Sequence, residues 1–358
     1  MRRYKMRVLV TGGCGFLGSH VCELYARRGD TVIAYDNMTK YELNRTGYSA
    51  EKAREYNMKF LEKLGVTVVK QDIRDFAILM ECSAGADFII HTAAQPAMTI
   101  SVEDPELDFS TNVLGTFNVL RVAKELKIPM ASCGTIHIYG NRINESLKDG
   151  STRYVRKPPA IDESHPVVEG TLTPLHASKR SADLYIETFI HSYGLPVASF
   201  RLTGLYGPRQ FGGEDHGWVA NFSIKTLLDQ PLRIFGTGKQ VRDILYATDA
   251  ARAFHAFYEN GTPGIYNIGG GLKYSISLLE CVDLIGRITE KKPKVEFDKM
   301  RLGDLLYFVC DIKKAEKQLK WKPAVSPEEG IKKMIEWIKK EKNIFKGALH
   351  ESSDIGCR

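Results

Sequence analysis

Three glycines stand at positions 12, 15 and 18 in the run Thr11-Gly12-Gly13-Cys14-Gly15-Phe16-Leu17-Gly18. The run follows a β-branched stretch, Arg7–Thr11, and opens an amphipathic one, Phe16–Arg28. Such a turn brings bare backbone and free N–H groups against an anion at a helix N-terminus. The anion that fits this spacing is a pyrophosphate, held by Gly12, Gly15, Phe16 and Leu17. Asp36 closes the next β-branched run, Thr31–Tyr35, and Asn37 follows it. A carboxylate there accepts both hydroxyls of a ribose and repels a 2′-phosphate, so the expected cofactor is NAD. Ordinary strand–helix turns are also glycine-rich, and an Asp before an Asn is also a turn. It is the agreement of the glycines with Asp36 that carries the reading.

Further polar groups fall at later strand ends. Asp72 and Ile73 follow the third β-branched run, Ala93, Ala94 and Gln95 follow the fourth, and Asn112 lies in the first turn of the next long helix. Each alone serves equally well as turn or cap chemistry. Together they line the carboxyl ends of consecutive strands, where open parallel sheets bind ligands.

The elements that must position these groups alternate. Strands are expected at Arg7–Thr11, Thr31–Tyr35, Val66–Lys70, Phe88–His91, Pro129–Ser132 and Pro196–Arg201. Helices are expected at Phe16–Arg28, Phe109–Lys127 and Pro174–Tyr193, with a polar helical insert at Tyr41–Leu64 and a loop at Asn141–Val167. That order predicts βαβ units, hence an α/β fold with a Rossmann-type doubly wound parallel sheet. Beyond residue 208 the pattern shortens: helices at Trp218–Leu228, Ile276–Thr289, Ile312–Leu319 and Pro327–Lys340, and strands at Leu232–Phe235 and Ile265–Ile268. We therefore expect a cofactor domain over 1–207, a smaller α/β substrate lobe over 208–346 interleaved with the last sheet elements, and a tail over 347–358.

Composition agrees. The 358 residues are 43% hydrophobic and 26% charged, which excludes a disordered, collagenous or coiled-coil chain. The net charge of +7 is spread along the sequence and argues against nucleic-acid binding. No apolar run is long enough to span a bilayer, so no membrane association is expected. The 7 cysteines are scattered with no Cys-x-x-Cys pair, which speaks against a disulfide framework or a metal site and for the reducing cytoplasm.

With these words in view, the chain resembles the extended short-chain dehydrogenase/reductase family, the nucleotide-sugar epimerases and dehydratases. The resemblance runs from TGGCGFLGS through HTAAQPAMT, SCGTIHIYG, ASKRSAD and YGPRQFG to GKQVRDILY. Within the family, Gln95–Thr99, the segment STRYVRKPPAIDES and Arg209–Val219 resemble the CDP-tyvelose (CDP-paratose 2-) epimerase branch. The resemblance implies transient oxidation of a sugar ring carbon by NAD, at C2 of a CDP-sugar in that branch and at C4 in galactose-type relatives.

It also implies roles. Lys179 holds the nicotinamide ribose, and Thr135 meets a sugar hydroxyl. Thr203, Arg209, Asn221, Arg242 and Arg301 bind the nucleotide diphosphate or sugar, and guanidinium forks suit phosphate oxygens. Gly204 stands where many C4 epimerases carry Asn. The helix Phe109–Lys127 and the Lys179-bearing helix resemble the pair that forms a four-helix homodimer interface.

One position departs. The family's proton handler is a Tyr four residues before the Lys, and here that residue is Leu175. His176, one step along, is the catalytic group expected in its place, since imidazole titrates in the right range. Thr135, His137, His216 or a substrate hydroxyl acting through water are alternatives, although His137, on the strand–turn before Tyr139, reads first as a structural residue. A dehydratase or decarboxylase, or a binding protein without turnover, also stays open. Ile136-His137 after Thr135 counts against a 4,6-dehydratase, which resembles this chain but carries Asp-Glu there.

Overall fold

The β-branched runs pair side by side, as strands buried on both faces must. They do so in a computed structural model that describes residues 5–39, 41, 43, 46, 48, 50, 52–301 and 303–345. The expected tail over 347–358 lies outside the described residues. From the start, β1 (Arg7–Thr11) leads to α1 (Phe16–Arg27), β2 (Thr31–Tyr35), α2 (Ala53–Glu62), β3 (Thr67–Val69) and α3 (Phe76–Cys82). Next come β4 (Phe88–His91), the short helices α4 (Met98–Glu103) and α5 (Pro105–Phe109), α6 (Thr116–Leu126) and β5 (Met130–Thr135). Then follow β6 (Lys148–Asp149), β7 (Tyr154–Val155), α7 (Pro174–Tyr193), β8 (Val197–Leu202) and β9 (Gly204–Tyr206). The last third holds α8 (Trp218–Leu227), β10 (Leu232–Phe235), β11 (Val241–Tyr246), α9 (Ala247–Asn260), β12 (Gly264–Ile268), β13 (Ser275–Ser277) and α10 (Leu278–Thr289). The described chain closes with β14 (Val295–Asp298), β15 (Tyr307–Phe308), α11 (Lys313–Leu319) and α12 (Pro327–Lys340).

Seven strands form one sheet in the order β12-β8-β5-β4-β1-β2-β3. Every neighbour pair in it is parallel. The chain winds outward from β1 in both directions, so a crevice opens at the carboxyl ends of β1 and β4, the switch point of such sheets. α1 and α9 cover one face through Val21, Tyr25, Phe254 and Phe257. α6 and α7 cover the other through Val119, Leu120, Ile186 and Phe189. A further core joins α8, α10 and α12 around Ile234, Ile244 and Ile276.

The structure revises several local expectations. The stretch 109–127 is not one helix, because a π-helical turn, Ser110–Gly115, precedes α6. Gly115 there lies so close to Ile73 that a Cβ would stand 2.4 Å from its Cδ1. Among the described residues of the 41–64 insert, only Ala53–Glu62 form an α-helix. The expected loop over 141–167 contains a 3₁₀ turn and the antiparallel pair β6–β7, fastened by ion pairs Lys239–Asp149 and Arg153–Glu280. β11 and α9 have no counterpart in the sequence reading. Arg242 and Asp243 interrupt the apolar pattern of β11, yet Asp243 is fully buried, accepting from Thr203 and the Gly271 N–H.

One polar cluster ties α7 to the sheet. Arg201 on β8 donates through Nε to Asp183 on α7 at 2.9 Å and through Nη1 to the Tyr139 hydroxyl at 2.8 Å. Tyr139 in turn donates to Asn267 of β12, and Ser199 donates to Asp183. All five side chains are buried. Removing one partner of such a pair strands the other charge. Asp183→Ala is therefore expected to cost about 3–5 kcal/mol, read as a lower urea midpoint. A loss under about 1 kcal/mol, the value of an exposed pair, would show that the clamp does not hold the helix.

Candidate active site

The glycine turn after β1 is close-packed. Gly12 has φ +68°, and a Cβ on it would stand 2.6 Å from the Ala93 nitrogen. A Cβ on Gly18 would stand 2.1 Å from the Gly12 oxygen. Gly15 caps α1 without a side-chain hydrogen bond, so no side chain competes for the first-turn N–H groups. Asp36 lies beside them. Its Oδ2 accepts from the Cys14 N–H at 2.9 Å and its Oδ1 from the Met38 N–H at 2.7 Å. Each oxygen keeps a lone pair for a ribose hydroxyl. Gly12, Asp36, Asn37, Ile73, Ala93, Ala94 and Gln95 line this crevice, and the residues fit an NAD adenosine and pyrophosphate.

The crevice runs into a cleft of about 780 Å³. Gly12, Gly15, Thr92 and Ala94 line both, and Phe16 and Leu17 line the cleft. Thr135, Cys133 and Lys179 also line the cleft. Thr135 ends β5, and its Oγ1 accepts the His137 N–H at 3.2 Å. Lys179 makes no hydrogen bond or salt bridge with the described residues; burial draws its pKa below the usual lysine value, against the pull of Cys133, Asp108 and Asp183. On the opposite wall, Arg301 stacks on Phe235 at 3.7 Å and pairs with Asp215 at 3.2 Å. Arg242 donates to the Val241 and Leu305 carbonyls and lies 3.5 Å from Asp304. Asn221 also lines the cleft, donating to the Gly212 carbonyl at 3.3 Å.

Several sequence-predicted residues sit otherwise than expected. His176 does not line the cleft; Leu175 does. One step on a helix turns a side chain by roughly 100°, and the inward position falls to Leu175. His176 is fully buried at the start of α7, where its Nδ1 accepts the Thr173 N–H at 3.0 Å. Burial lowers its pKa. Asn112 also lies behind the crevice wall. Its carboxamide brackets the Gln95 peptide, accepting the N–H at 2.9 Å and donating to the carbonyl at 3.0 Å. Asp72 is engaged by Asn37 and Arg74; burial raises its pKa, but those bonds outweigh it and leave the carboxyl below its usual range.

Arg209 and Thr203 reach the cleft wall with their polar groups already engaged. The Arg209 guanidinium bonds Ser19, His20 and Glu23 of α1 and stacks on Phe60. The Thr203 hydroxyl donates to Asp243. Sequence reading missed Arg54 and Asn57 of α2, which line the cleft. Asn57 donates to the Cys14 carbonyl at 3.0 Å, and its Oδ1 is buried without a partner. Nothing in the spacing of the polar insert marked it.

With this geometry in hand, residues 8–269 match the profile of the NAD dependent epimerase/dehydratase family. CDP-paratose 2-epimerase of Salmonella typhi is 33% identical over 350 residues, 93% of this chain and 99% of that protein. UDP-glucuronate 4-epimerase of Thermodesulfobacterium geofontis is 30% identical, covering 94% of this chain and 98% of its own. The crystal structure of the Thermus thermophilus UDP-glucose 4-epimerase in complex with NAD superposes with a TM-score of 0.76 at 30% identity, over 93% of this chain and 99% of that one.

The crevice makes a direct prediction. Asp36→Ala removes a charged acceptor for ribose hydroxyls and is expected to weaken NAD binding by roughly 10- to 100-fold, the size of charged hydrogen bonds. Isothermal calorimetry measures it, and an unchanged titration would remove Asp36 from the site.

Proposed function

The chain belongs to the NAD dependent epimerase/dehydratase family, and from that premise we propose that it inverts one ring carbon of a nucleotide-diphosphate sugar, C2 of a CDP-sugar before C4. The observation that carries the proposal is a single cleft that shares Gly12, Gly15, Thr92 and Ala94 with the NAD crevice and is lined as well by Thr135, Lys179, Arg242 and Arg301. When bound, NAD supplies reversible hydride acceptance. The protein's residues do the rest: bind, orient and handle protons.

In this reading Gly12, Gly15, Phe16 and Leu17 hold the pyrophosphate, and Asp36 holds the adenosine ribose. Lys179, partnerless among the described side chains, holds the nicotinamide ribose. Arg242 and Arg301 hold the sugar diphosphate, with Asn221 beside them. Thr135 keeps its hydroxyl proton free to donate, because its oxygen serves as an acceptor for the His137 N–H. The choice of C2 and of CDP is supported by the 33% identity to CDP-paratose 2-epimerase. The proposal extends to a cytoplasmic homodimer. Phe109, Leu114, Leu184 and Tyr185 leave large apolar surface exposed around the π-turn and α7, where the sequence resembles a four-helix interface. Among the described residues no helix is long and apolar enough to cross a membrane.

The test is turnover of CDP-, UDP-, GDP- and dTDP-hexoses by the NAD-loaded protein in D₂O, followed by NMR. Transient oxidation with return of the same hydride yields an epimer carrying protium at the inverted carbon and no net NADH. Deuterium there would replace the reading with carbanion chemistry, and loss of water or carbon dioxide would make the protein a lyase.

A further inference from the structure

Oxidising a ring carbon needs a group that takes the hydroxyl proton and later gives it back. The place on α7 that faces the cleft beside Lys179 is Leu175, which has no exchangeable proton. No tyrosine lines the cleft among the described residues. His176 is shut in behind Leu175 at the helix cap. His137 is not. It lies two residues past Thr135, in the 3₁₀ turn Ile136–Tyr139, and lines the cleft.

The local structure aims its ring. The turn begins when the His137 N–H reaches back to the Thr135 hydroxyl oxygen, so the two side chains leave one short segment. The His176 ring meets the His137 ring edge-on, with centroids 6.4 Å apart, and backs it from α7. Nδ1 of His137 is closed off inside the protein without a partner. Exchange with a ligand in the cleft therefore falls to Nε2. A buried imidazole nitrogen left without a bond is a cost that most proteins avoid.

Resting on the epimerase reading above, we propose that His137 is the proton carrier of this site, in the place the family gives to a tyrosine. Nε2 takes the proton from the sugar hydroxyl that Thr135 holds. In that half-reaction the O–H and C–H bonds break and the C=O and N–H bonds form. The hydrogen on carbon leaves with its electron pair to oxidised NAD, and imidazole becomes imidazolium. In the return half, hydride comes back to the opposite face of the carbonyl, Nε2 gives the proton to the oxygen, and every bond change is reversed.

Burial, then Arg242 of β11, then His176 of α7 push the His137 pKa down to about 3, so the ring is neutral and, without substrate, a weak base. Asp304 faces the same Arg242 at 3.5 Å. A diphosphate drawn to Arg242 adds negative charge beside the ring and raises its basicity only when substrate is in place.

The experiment uses the full NAD-loaded protein and whichever sugar of the panel the wild type converts. His137→Gln is expected to lower kcat by roughly 10²–10⁴-fold, the usual contribution of a general acid–base. NAD and sugar affinities measured by calorimetry should stay within a few-fold. Exogenous imidazole should restore part of the rate to His137→Gly. The wild-type His137 Cε1–H signal, assigned by its loss in His137→Gln, should shift when that sugar binds. His176→Ala should lose thermal stability and lose far less turnover than His137→Gln. Full activity in His137→Gln, or an unmoved Cε1–H signal, would overturn the assignment while leaving the epimerase intact. If the wild type converts no sugar, the functional reading itself falls, and the proton carrier falls with it.

Discussion

A buried carboxylate, Asp183, determines what the rest of this molecule can do. It sits on α7 and is held by Arg201 and Ser199 of β8, so the helix cannot rotate on the sheet without stranding a charge in the interior. Residues four apart on a helix share a face, and Leu175, Lys179 and Asp183 are spaced that way. Fixing Asp183 against the sheet therefore fixes Lys179 at the cleft and turns Leu175 inward with it. The same clamp continues through Tyr139 to Asn267, so the turn that carries His137 is held by the network that holds α7. Burial pushes the Tyr139 hydroxyl pKa far up, which keeps that residue a neutral strut.

The cleft is built from two kinds of wall. Along the sheet edge, backbone and small residues let a dinucleotide approach closely, and α2 closes over them through Arg54 and Asn57. Across the cleft, the cations are already matched. Arg301 pairs with Asp215, which also accepts from Thr99 of α4, and Arg242 faces Asp304. Burial pushes the Asp304 carboxyl up, against the pull of Arg242 and Arg301. Such pairing orients guanidinium groups before a ligand arrives, so less ordering remains when one binds. On the proposed reading, a diphosphate entering here would share or displace those carboxylates, and the site would favour a ligand of high charge over a neutral sugar.

The two histidines near α7 divide structural and chemical work. His176 bonds the Thr173 N–H and closes the first turn of the helix, a cap that sets where α7 begins. His137, in the turn that follows β5, is left with a side chain that caps nothing. Neighbours in space, they differ because one belongs to a helix start with N–H groups to satisfy and the other to a strand end at the mouth of the sheet.

What the sequence determined alone was whatever depends on short spacing. The glycine turn with Asp36, the alternation of strands and helices, the bounds of α7 at Pro174 and Tyr193, and the replacement of tyrosine by Leu175 were all legible, because each is written within a few residues. Direction and partner were settled only once the chain was folded. Arg209 meets Ser19 and Glu23 from more than 180 residues away in sequence, Asn112 meets the Gln95 peptide, and Asp243 is buried in a strand that its charge disguised. His176 reads as the substitute for the missing phenol until α7 is seated on the sheet, and then a single helical step turns it away and leaves His137 at the cleft. Spacing along the chain sets which face of its own element a residue occupies. Which way that face points is set by the contacts that bury the element, and those are made by residues distant in sequence.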